Sequence, residues 1–435
     1  FYESFRLFDI SCDQGLSGWR EIYSPEGESM RRLKYSDHWI SLSLFVISIF
    51  GVVMIGSASA GSAGEYGGTY ALENMIKQGI FLIIGFVLMM LLRRKFSTRW
   101  MYPRTIKAIL IIVLILMAAC LAFPSVSGSK AWIRLPFGMS IQPSEFAKIA
   151  LMLMMSYYLV ETPKAFKNPA HYVRRFTTIK QYEHYRLWQC VGRPLAMAAV
   201  VILFCMVLQH DFGTSVIMAG IVAVCFFCAS DRYYAKFQKP LFIGLAVAFF
   251  AVILIGLPIL THVLEDYQLG RILAWLDPLS DPYNTSFHQI NGLIAFAKNG
   301  FFGLGLGNST QKFGYIPEAQ NDYISAIIFE ELGVFGLALI IIPYTIIIYR
   351  LFSYAYKMKD PKHKIILCGI ASYFFLHLFL NLGGVSCLIP LTGVPLLCIS
   401  SGGSSTIAAY VAIGIAQALI SQHNREKTRL AQEGI

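Results

Sequence analysis

The sequence predicts an all-α polytopic membrane protein of about ten transmembrane helices, with a long extracytoplasmic loop between helices 7 and 8. The chain of 435 residues is 56% hydrophobic and only 14% charged, whereas soluble domains usually carry about 25% charged residues. Runs without Asp, Glu, Lys or Arg reach about 18 residues or more, the length at which an apolar helix crosses a bilayer. Examples are 39–64, 332–349, 365–389 and 395–424.

Apolar periodicity and length place the individual helices. They are predicted at 39–60, 75–92, 106–123, 143–160, 194–209, 212–230, 239–262, 322–349, 365–388 and 404–421. The chain then divides into an N-terminal segment (1–38), a membrane domain (39–421) and a C-terminal tail (422–435). Because the first apolar run is long enough to anchor the chain, no cleavable signal peptide is predicted.

The distribution of charge predicts the orientation. The net charge is +11, and Lys and Arg are concentrated in alternate loops. Cytoplasmic loops carry such an excess, so the basic loops and both termini are predicted to lie in the cytoplasm. The positive charge therefore reflects membrane topology, and no nucleic-acid partner is predicted. The basic loops span 93–107, 161–193, 232–239 and 350–364.

The cysteines predict no metal, redox or disulfide chemistry. There are nine of them, mostly within apolar runs. Cys225 and Cys228 form a C-x-x-C, but neither His nor a carboxylate lies beside them in their predicted helix. Apolar filling is therefore the favoured interpretation.

The loops differ in what they predict. Loop 263–321 is too long for a simple connection and is expected to be functional or disordered. Its apolar part, 287–302, predicts ordered structure against the membrane surface. The basic loop 161–193 is predicted to be partly helical along the membrane face, with disorder as the alternative. Residues 389–403 are predicted as a short outward loop, and the small residues 400–405 permit close helix contact.

Polar residues cluster in four places on the predicted outer side. The first cluster contains Lys130, Trp132 and Arg134, followed by IQPSEFAK (141–148). Pro143 suits a first helical turn, and Glu145 would interact well with the helix dipole there. Lys148 lies one turn deeper on the same helix face, at i+3, and fits a capping role less well; a buried lysine there would suit a phosphate.

The second cluster is a tight turn between two apolar runs. It contains Gln209, His210, Asp211, Gly213 and Thr214. The spacing favours Asp211 as a cap of the next helix over a direct role in a site.

The third cluster lies in the long loop. Arg271 is one of few basic residues on the predicted outer side, which suggests an anionic partner. The pairs Asp277–Pro278 and Asp281–Pro282 follow it. The favoured interpretation of these Asp-Pro pairs is that they form turns.

The fourth cluster runs from Gly303 into the eighth predicted helix. Gly303, Gly305 and Gly307 do not have the spacing of a dinucleotide-binding loop, and close approach of the backbone to a ligand or helix is favoured. Asp322 suits either an N-cap or a functional carboxylate at the mouth of the helix. Capping cannot explain Glu330 and Glu331 as well, and acids at that depth in a membrane usually mark function.

Taken in order, these clusters resemble the SEDS family of bacterial shape, elongation, division and sporulation proteins, the FtsW, RodA and SpoVE type. The similarity covers about 39–421. The motif LGLGNSTQK (304–312) resembles the FtsW and SpoVE branch more than the RodA branch. The segments that carry the resemblance are SKAWIRL (129–135), IQPSEFAK (141–148), QHDFGT (209–214), 271–282, LGLGNSTQKFGYIPEAQNDYISAIIFEELG (304–333) and LTGVPLLCISSGGSS (391–405).

The resemblance implies a fold of about ten transmembrane helices and a peptidoglycan glycosyltransferase activity. Members of the family polymerise lipid II, an undecaprenyl-diphosphate-linked disaccharide pentapeptide, at the outer face of the bacterial cytoplasmic membrane. A class B penicillin-binding protein crosslinks the product, and other divisome or elongasome membrane proteins are further expected partners. No cofactor is assigned, although a divalent cation (Mg²⁺ or Mn²⁺) could share in binding the departing diphosphate.

The resemblance also implies roles for individual residues. The family's catalytic aspartate falls on Asp322, which would act as general base. Binding of substrate and diphosphate falls on Trp132, Lys148, Arg271 and Lys312. Supporting acids are Glu145, Asp211, Glu318 and Glu330, of which Glu145 and Glu330 would hold those basic groups or the helices. The sequence departs from the family at Gln320, Phe287, His288 and Ser401.

Two alternatives remain open at this stage. Acids and basic residues within the membrane would equally suit a flippase for lipid-linked precursor. However, no internal repeat of the kind found in transporters is recognised. A noncatalytic scaffold that recruits the transpeptidase would leave Asp322 dispensable.

Overall fold

The computed structural model describes residues 35–126, 128–166, 176, 178–263, 266–279, 281–284, 286–297, 300–316 and 319–433. Most of these residues are helical. Apart from the single turn Ala63–Tyr66, the α-helices are α1 (His38–Ala60), α2 (Tyr70–Lys95), α3 (Pro103–Ala119), α4 (Pro143–Ala165), α5 (Ile179–Leu187), α6 (Arg193–Leu203), α7 (Phe212–Phe227), α8 (Arg232–Val263), α9 (Asp266–Leu276), α10 (Phe287–Ala297), α11 (Ile324–Lys357), α12 (Pro361–Val385) and α13 (Gly403–Gln432). A small antiparallel pair, β1 (Ile133–Arg134) and β2 (Ser140–Ile141), precedes α4.

The prediction of an all-α polytopic membrane protein is confirmed. A helix overlaps each of the ten predicted segments. Among the described residues, seven helical spans are long and apolar enough to cross a membrane. The number of ten crossings stays a prediction. The seven spans are His38–Ala60, Tyr70–Lys95, Pro103–Ala122, Ile179–Leu208, Ile324–Lys357, Pro361–Val385 and Gly403–Gln432.

The helices pack through small residues. α13 packs along α2, and α1 lies against both α2 and α11. A Cβ added to Gly414 of α13 would lie only 2.9 Å from the backbone of Met89 in α2, and one on Gly403 would overlap the ring of Phe81. Such close backbone approach is typical of membrane helix pairs. The predicted helix contact at 400–405 is thereby confirmed.

Helix α11 is broken at Gly333. The sequence predicted one uninterrupted helix at 322–349, so this break was not predicted. Gly333 has φ 59° and ψ −142°, a backbone conformation essentially restricted to glycine. The break frees main-chain groups that residues 301–305 satisfy. Val334 N donates to Phe301 O at 3.0 Å, and Leu304 N and Gly305 N donate to the carbonyls of Glu330 and Glu331 at 2.9 and 2.8 Å. The loop of residues 300–316, which we call the glycine-rich loop, is therefore docked on the broken helix.

The predicted outward loop 389–403 is irregular up to residue 402, and its second half is buried inside the bundle. The side of the membrane on which it lies stays a prediction. Leu396, Leu397, Cys398 and Ile399 have no exposed surface. A Cβ on Gly51 of α1 would overlap the carbonyl oxygen of Cys398 at 2.2 Å. Irregular backbone is tolerated at membrane depth only where protein surrounds it. We call residues 389–402 the buried segment.

The remaining loop predictions have mixed outcomes. Loop 161–193 is partly helical, as expected, because α5 lies within it, although 167–175 and 177 lie outside the described residues. The expected order in 287–302 is confirmed for 287–297, which form α10, whereas 298 and 299 lie outside the described residues. α13 continues through most of the predicted tail 422–435 to Gln432, and the division of the chain into domains stays a prediction. Cys225 is buried, and the described cysteines form no disulfide.

Candidate functional site

Asp322 lies at the N-terminal end of α11 and is half-buried. It is not the N-cap, which is one of its two predicted alternatives. That position is Tyr323, which makes no side-chain cap bond. The main-chain oxygen of Asp322 accepts a hydrogen bond from Asn381 Nδ2 of α12 at 2.9 Å. The predicted catalytic residue is therefore tied to a neighbouring helix through its backbone.

A row of polar side chains runs along the buried face of α12 beneath Asp322. It consists of Tyr373, His377 and Asn381, each four residues from the next and therefore on one helix face. His377 Nδ1 lies 2.9 Å from Pro395 O, and Asn381 Nδ2 lies 2.9 Å from Val394 O. The polar row thus holds the buried segment against α12.

Glu145 and Lys148 join this row from α4. Lys148 Nζ lies 2.7 Å from Glu145 Oε1, and both side chains are 1% exposed. Tyr373 OH donates to Glu145 Oε2 at 3.2 Å. Because Pro395 O can only accept, His377 carries its proton on Nδ1, and its Nε2 accepts from Lys148 at 3.1 Å. The predicted proximity at i,i+3 is confirmed, and the lysine is enclosed by protein partners.

The turn before α7 connects to the same region. Asp211 is the N-cap of α7, as the spacing favoured, and accepts from Thr214 N at 3.0 Å. Its other oxygen accepts from Gln142 Nε2 at 2.7 Å. The main-chain N of Gln142 donates to Ser404 Oγ of α13 at 2.8 Å. Asp211 therefore joins the start of α4 to the start of α7.

Glu330 and Glu331, both fully buried, hold the loop that precedes Asp322. Glu330 accepts from Thr310 N at 2.9 Å and Thr310 Oγ1 at 2.7 Å, and also from Ser309 Oγ. Glu331 accepts from Gly307 N at 3.0 Å and from Ser57 Oγ of α1 at 2.7 Å. These acids therefore organise the glycine-rich loop.

Lys312 is part of that arrangement. Its Nζ lies 2.8 Å from Glu331 Oε1 and donates to Gly307 O at 2.7 Å, with 1% of the side chain exposed. The acid that pairs with Lys312 is Glu331, which is not among the predicted supporting acids. Glu330, which is among them, binds loop hydroxyls and amides. Lys312 is enclosed in the same way as Lys148.

The other predicted site residues make none of the contacts above or lie outside the described residues. Trp132 is half-buried immediately before β1. Arg271 lies in α9. Glu318 lies outside the described residues. Within the described part of the chain, no group of three or more His, Cys, Asp or Glu residues could hold a metal ion.

Sequence reasoning missed the polar row of α12. Tyr373, His377 and Asn381 lie in the predicted apolar segment 365–388 and were read as part of a plain membrane helix. The sequence did contain a signal for this row. Polar residues at i, i+4 and i+8 lie on one face of a helix, and polar residues within a membrane helix are costly and usually functional.

The comparison with known proteins decides the family. The pattern of the FtsW, RodA and SpoVE family, described as cell cycle protein, matches residues 37–426. The chain belongs to this family.

Relatives and solved structures agree with this assignment. The chain is 31% identical over 418 residues to the probable peptidoglycan glycosyltransferase FtsW of Bacillus subtilis, covering 93% of this chain and 96% of the relative. It is 31% identical over 381 residues to stage V sporulation protein E of the same organism, covering 86% and 94%. Both names belong to the branch that LGLGNSTQK indicated.

The fold matches solved structures at lower identity. RodA of Thermus thermophilus superposes with a TM-score of 0.56 at 20% identity, covering 89% of this chain and 97% of RodA. A chain from a structure described as coordinating polymerization and crosslinking in a peptidoglycan synthase complex gives 0.64 at 22% identity, covering 89% and 98%. The fold is therefore that of RodA.

Proposed function

We propose that this protein is a peptidoglycan glycosyltransferase that polymerises lipid II at the outer face of the bacterial cytoplasmic membrane. The relatives that share about 30% identity over nearly the whole chain are named probable peptidoglycan glycosyltransferases. Nearly full coverage on both sides supports transfer of the whole activity rather than of one domain.

In the proposed reaction, Asp322 is the general base. Its carboxylate takes the proton of the acceptor GlcNAc 4-hydroxyl while that oxygen bonds to C1 of the donor MurNAc. The bond from C1 to the diphosphate breaks, and undecaprenyl diphosphate leaves with the electron pair. A positioned base contributes about 10²–10⁴ in rate, so alignment and charge stabilisation must supply the remainder.

One observation carries the choice of Asp322. Glu145, Glu330 and Glu331 are buried and engaged by lysines or loop groups, so a substrate hydroxyl cannot reach them. Asp322 is half-buried at the mouth of α11, where a bound sugar could approach it. Among these four acids, Asp322 is the one suited to proton transfer with a substrate.

Burial also distinguishes among the residues that were predicted to bind the diphosphate. Lys148 and Lys312 each have a carboxylate partner inside the protein, which favours a role in holding α4 and the glycine-rich loop. Arg271, in α9 of the long loop, is retained as the candidate for the departing diphosphate, with Trp132 as a substrate contact. A divalent cation could assist there.

The partner and the orientation belong to the same proposal. We infer that the protein works with a class B penicillin-binding protein, and the likeness to a chain of a peptidoglycan synthase complex supports this. Both termini are proposed to be cytoplasmic, on the basis of the basic loops.

The test is polymerisation of purified lipid II by the protein reconstituted with its cognate transpeptidase. Glycan strands resolved by gel electrophoresis are expected. Lipid II movement across proteoliposomes is measured in parallel. Movement without polymer would support a flippase instead, and neither activity with the partner bound would support a scaffold.

A further inference from the structure

We propose that Asn381 is a positioning residue that holds Asp322 in place for the reaction. The inference rests on the proposed function, because it assigns Asn381 a role through the base. Asn381 lies on α12, 59 residues away from Asp322 along the chain, and is 2% exposed. It touches the backbone of Asp322 and is not itself placed against the substrate.

Every hydrogen-bonding group of the Asn381 amide is used. Nδ2 donates to Asp322 O and to Val394 O, both at 2.9 Å, and Oδ1 accepts from Ser325 Oγ at 3.0 Å. A primary amide has two N–H donors and one carbonyl acceptor. One side chain therefore joins the start of α11, the first turn of α11 and the buried segment.

A second bond holds the same stretch of backbone. Ser401 N donates to Gln320 O at 2.8 Å. The carbonyls on both sides of Asn321 are consequently fixed, one by Asn381 of α12 and one by Ser401 of the buried segment. The backbone around Asp322 is therefore held by tertiary contacts, and Asn381 provides the bond to the carbonyl of Asp322 itself.

The buried segment gives these contacts their rigidity. It is held by Asn381 at Val394, by His377 at Pro395 and by Tyr344 OH at Leu397, the last at 2.8 Å. Of these three side chains, Asn381 is the one whose bonds also reach Asp322. Loss of its donors would remove the bonds to the carbonyls of Asp322 and Val394 and so uncouple Asp322 from the buried segment.

The functional consequence is a loss of turnover. A displacement of about 1 Å at a reacting group can cost about 10²-fold in rate. An Asn381→Leu variant of similar volume is therefore expected to lower kcat by about 10- to 100-fold. The KM for lipid II should change little, because the substrate-binding surface is not altered.

The experiment compares kcat and KM for lipid II polymerisation in the full-length protein with its partner. The variants are Asn381→Leu and Asn381→Asp, which keeps the shape and the acceptor for Ser325. The matched control is Tyr344→Phe, which removes one buried bond to the same segment without a bond to Asp322. A large loss of kcat at both Asn381 variants, with the control near wild type, is expected.

A second readout does not depend on catalysis. The cysteine of an Asp322→Cys variant is alkylated with a charged maleimide, in the presence and absence of Asn381→Leu, and mass spectrometry assigns the label. A several-fold change in the rate is expected. An unchanged rate, or Asn381 variants with wild-type kcat, would overturn the inference, as would an equal loss in Tyr344→Phe. Full activity of Asp322→Asn would instead overturn the base assignment.

Discussion

Lys312 and Glu331 form an ion pair in the interior of the protein, with Nζ 2.8 Å from Oε1 and at most 1% of either side chain exposed. The lysine belongs to the glycine-rich loop and the glutamate to α11. Their pairing fixes the loop that leads to Asp322. A buried charge without its partner is strongly unfavourable, so this contact has a measurable consequence.

Removing one member of this pair should destabilise the protein. Glu331→Gln leaves Lys312 without its carboxylate, and a loss of about 3–5 kcal/mol is expected. Thermal unfolding in detergent measures it. The control is Glu433→Gln, because the Arg429–Glu433 pair is exposed and should contribute little. Equal melting temperatures for the two variants would contradict the structural role of Glu331.

The break in α11 should require glycine. In Gly333→Ala, the new Cβ would lie 2.2 Å from Phe301 O, and the backbone conformation alone costs a residue with a side chain about 1–3 kcal/mol. A lower melting temperature and displacement of loop 301–305 are expected. Gly79→Ala is the control, since its Cβ meets nothing within 4 Å. It should leave stability unchanged or slightly raised.

The orientation of the glycine-rich loop can be measured in cells. Tyr315→Cys places an exposed thiol in that loop, and Lys359→Cys places one between α11 and α12. A membrane-impermeant maleimide added to intact cells should label the first and not the second. Labelling of both should follow lysis. The reverse pattern would place the candidate site on the cytoplasmic side.

Much of the fold follows from local sequence. Long apolar runs determined where α1, α2, α11, α12 and α13 lie, because membrane-spanning backbone must be helical. The buried segment 389–402 could not be predicted in this way. Its prolines and glycines indicate a loop, and its burial depends on Gly51 and other distant residues that admit it. The break at Gly333 likewise depends on the tertiary contact with Phe301.

The candidate site was predictable to a similar degree. The spacing of Glu145 and Lys148 correctly indicated one helix face, and Asp211 is the cap that its position favoured. The enclosure of Lys148 could not be foreseen, because His377 lies 229 residues away along the chain. The pairing of Lys312 with Glu331 was not predicted from the sequence, because adjacent glutamates on one helix contact different parts of the loop.

The central claim is that Asp322 is the general base. The measurement is the initial rate of lipid II polymerisation by wild type, Asp322→Asn and Glu65→Gln, each reconstituted with the partner transpeptidase. Glu65 is an exposed carboxylate before α2, so its variant controls for loss of one negative charge. The initial rate is predicted to fall by about 10²–10⁴-fold in Asp322→Asn and not in Glu65→Gln. The melting temperature and partner binding of Asp322→Asn should be unchanged. Polymerisation by Asp322→Asn at the wild-type rate would contradict the account.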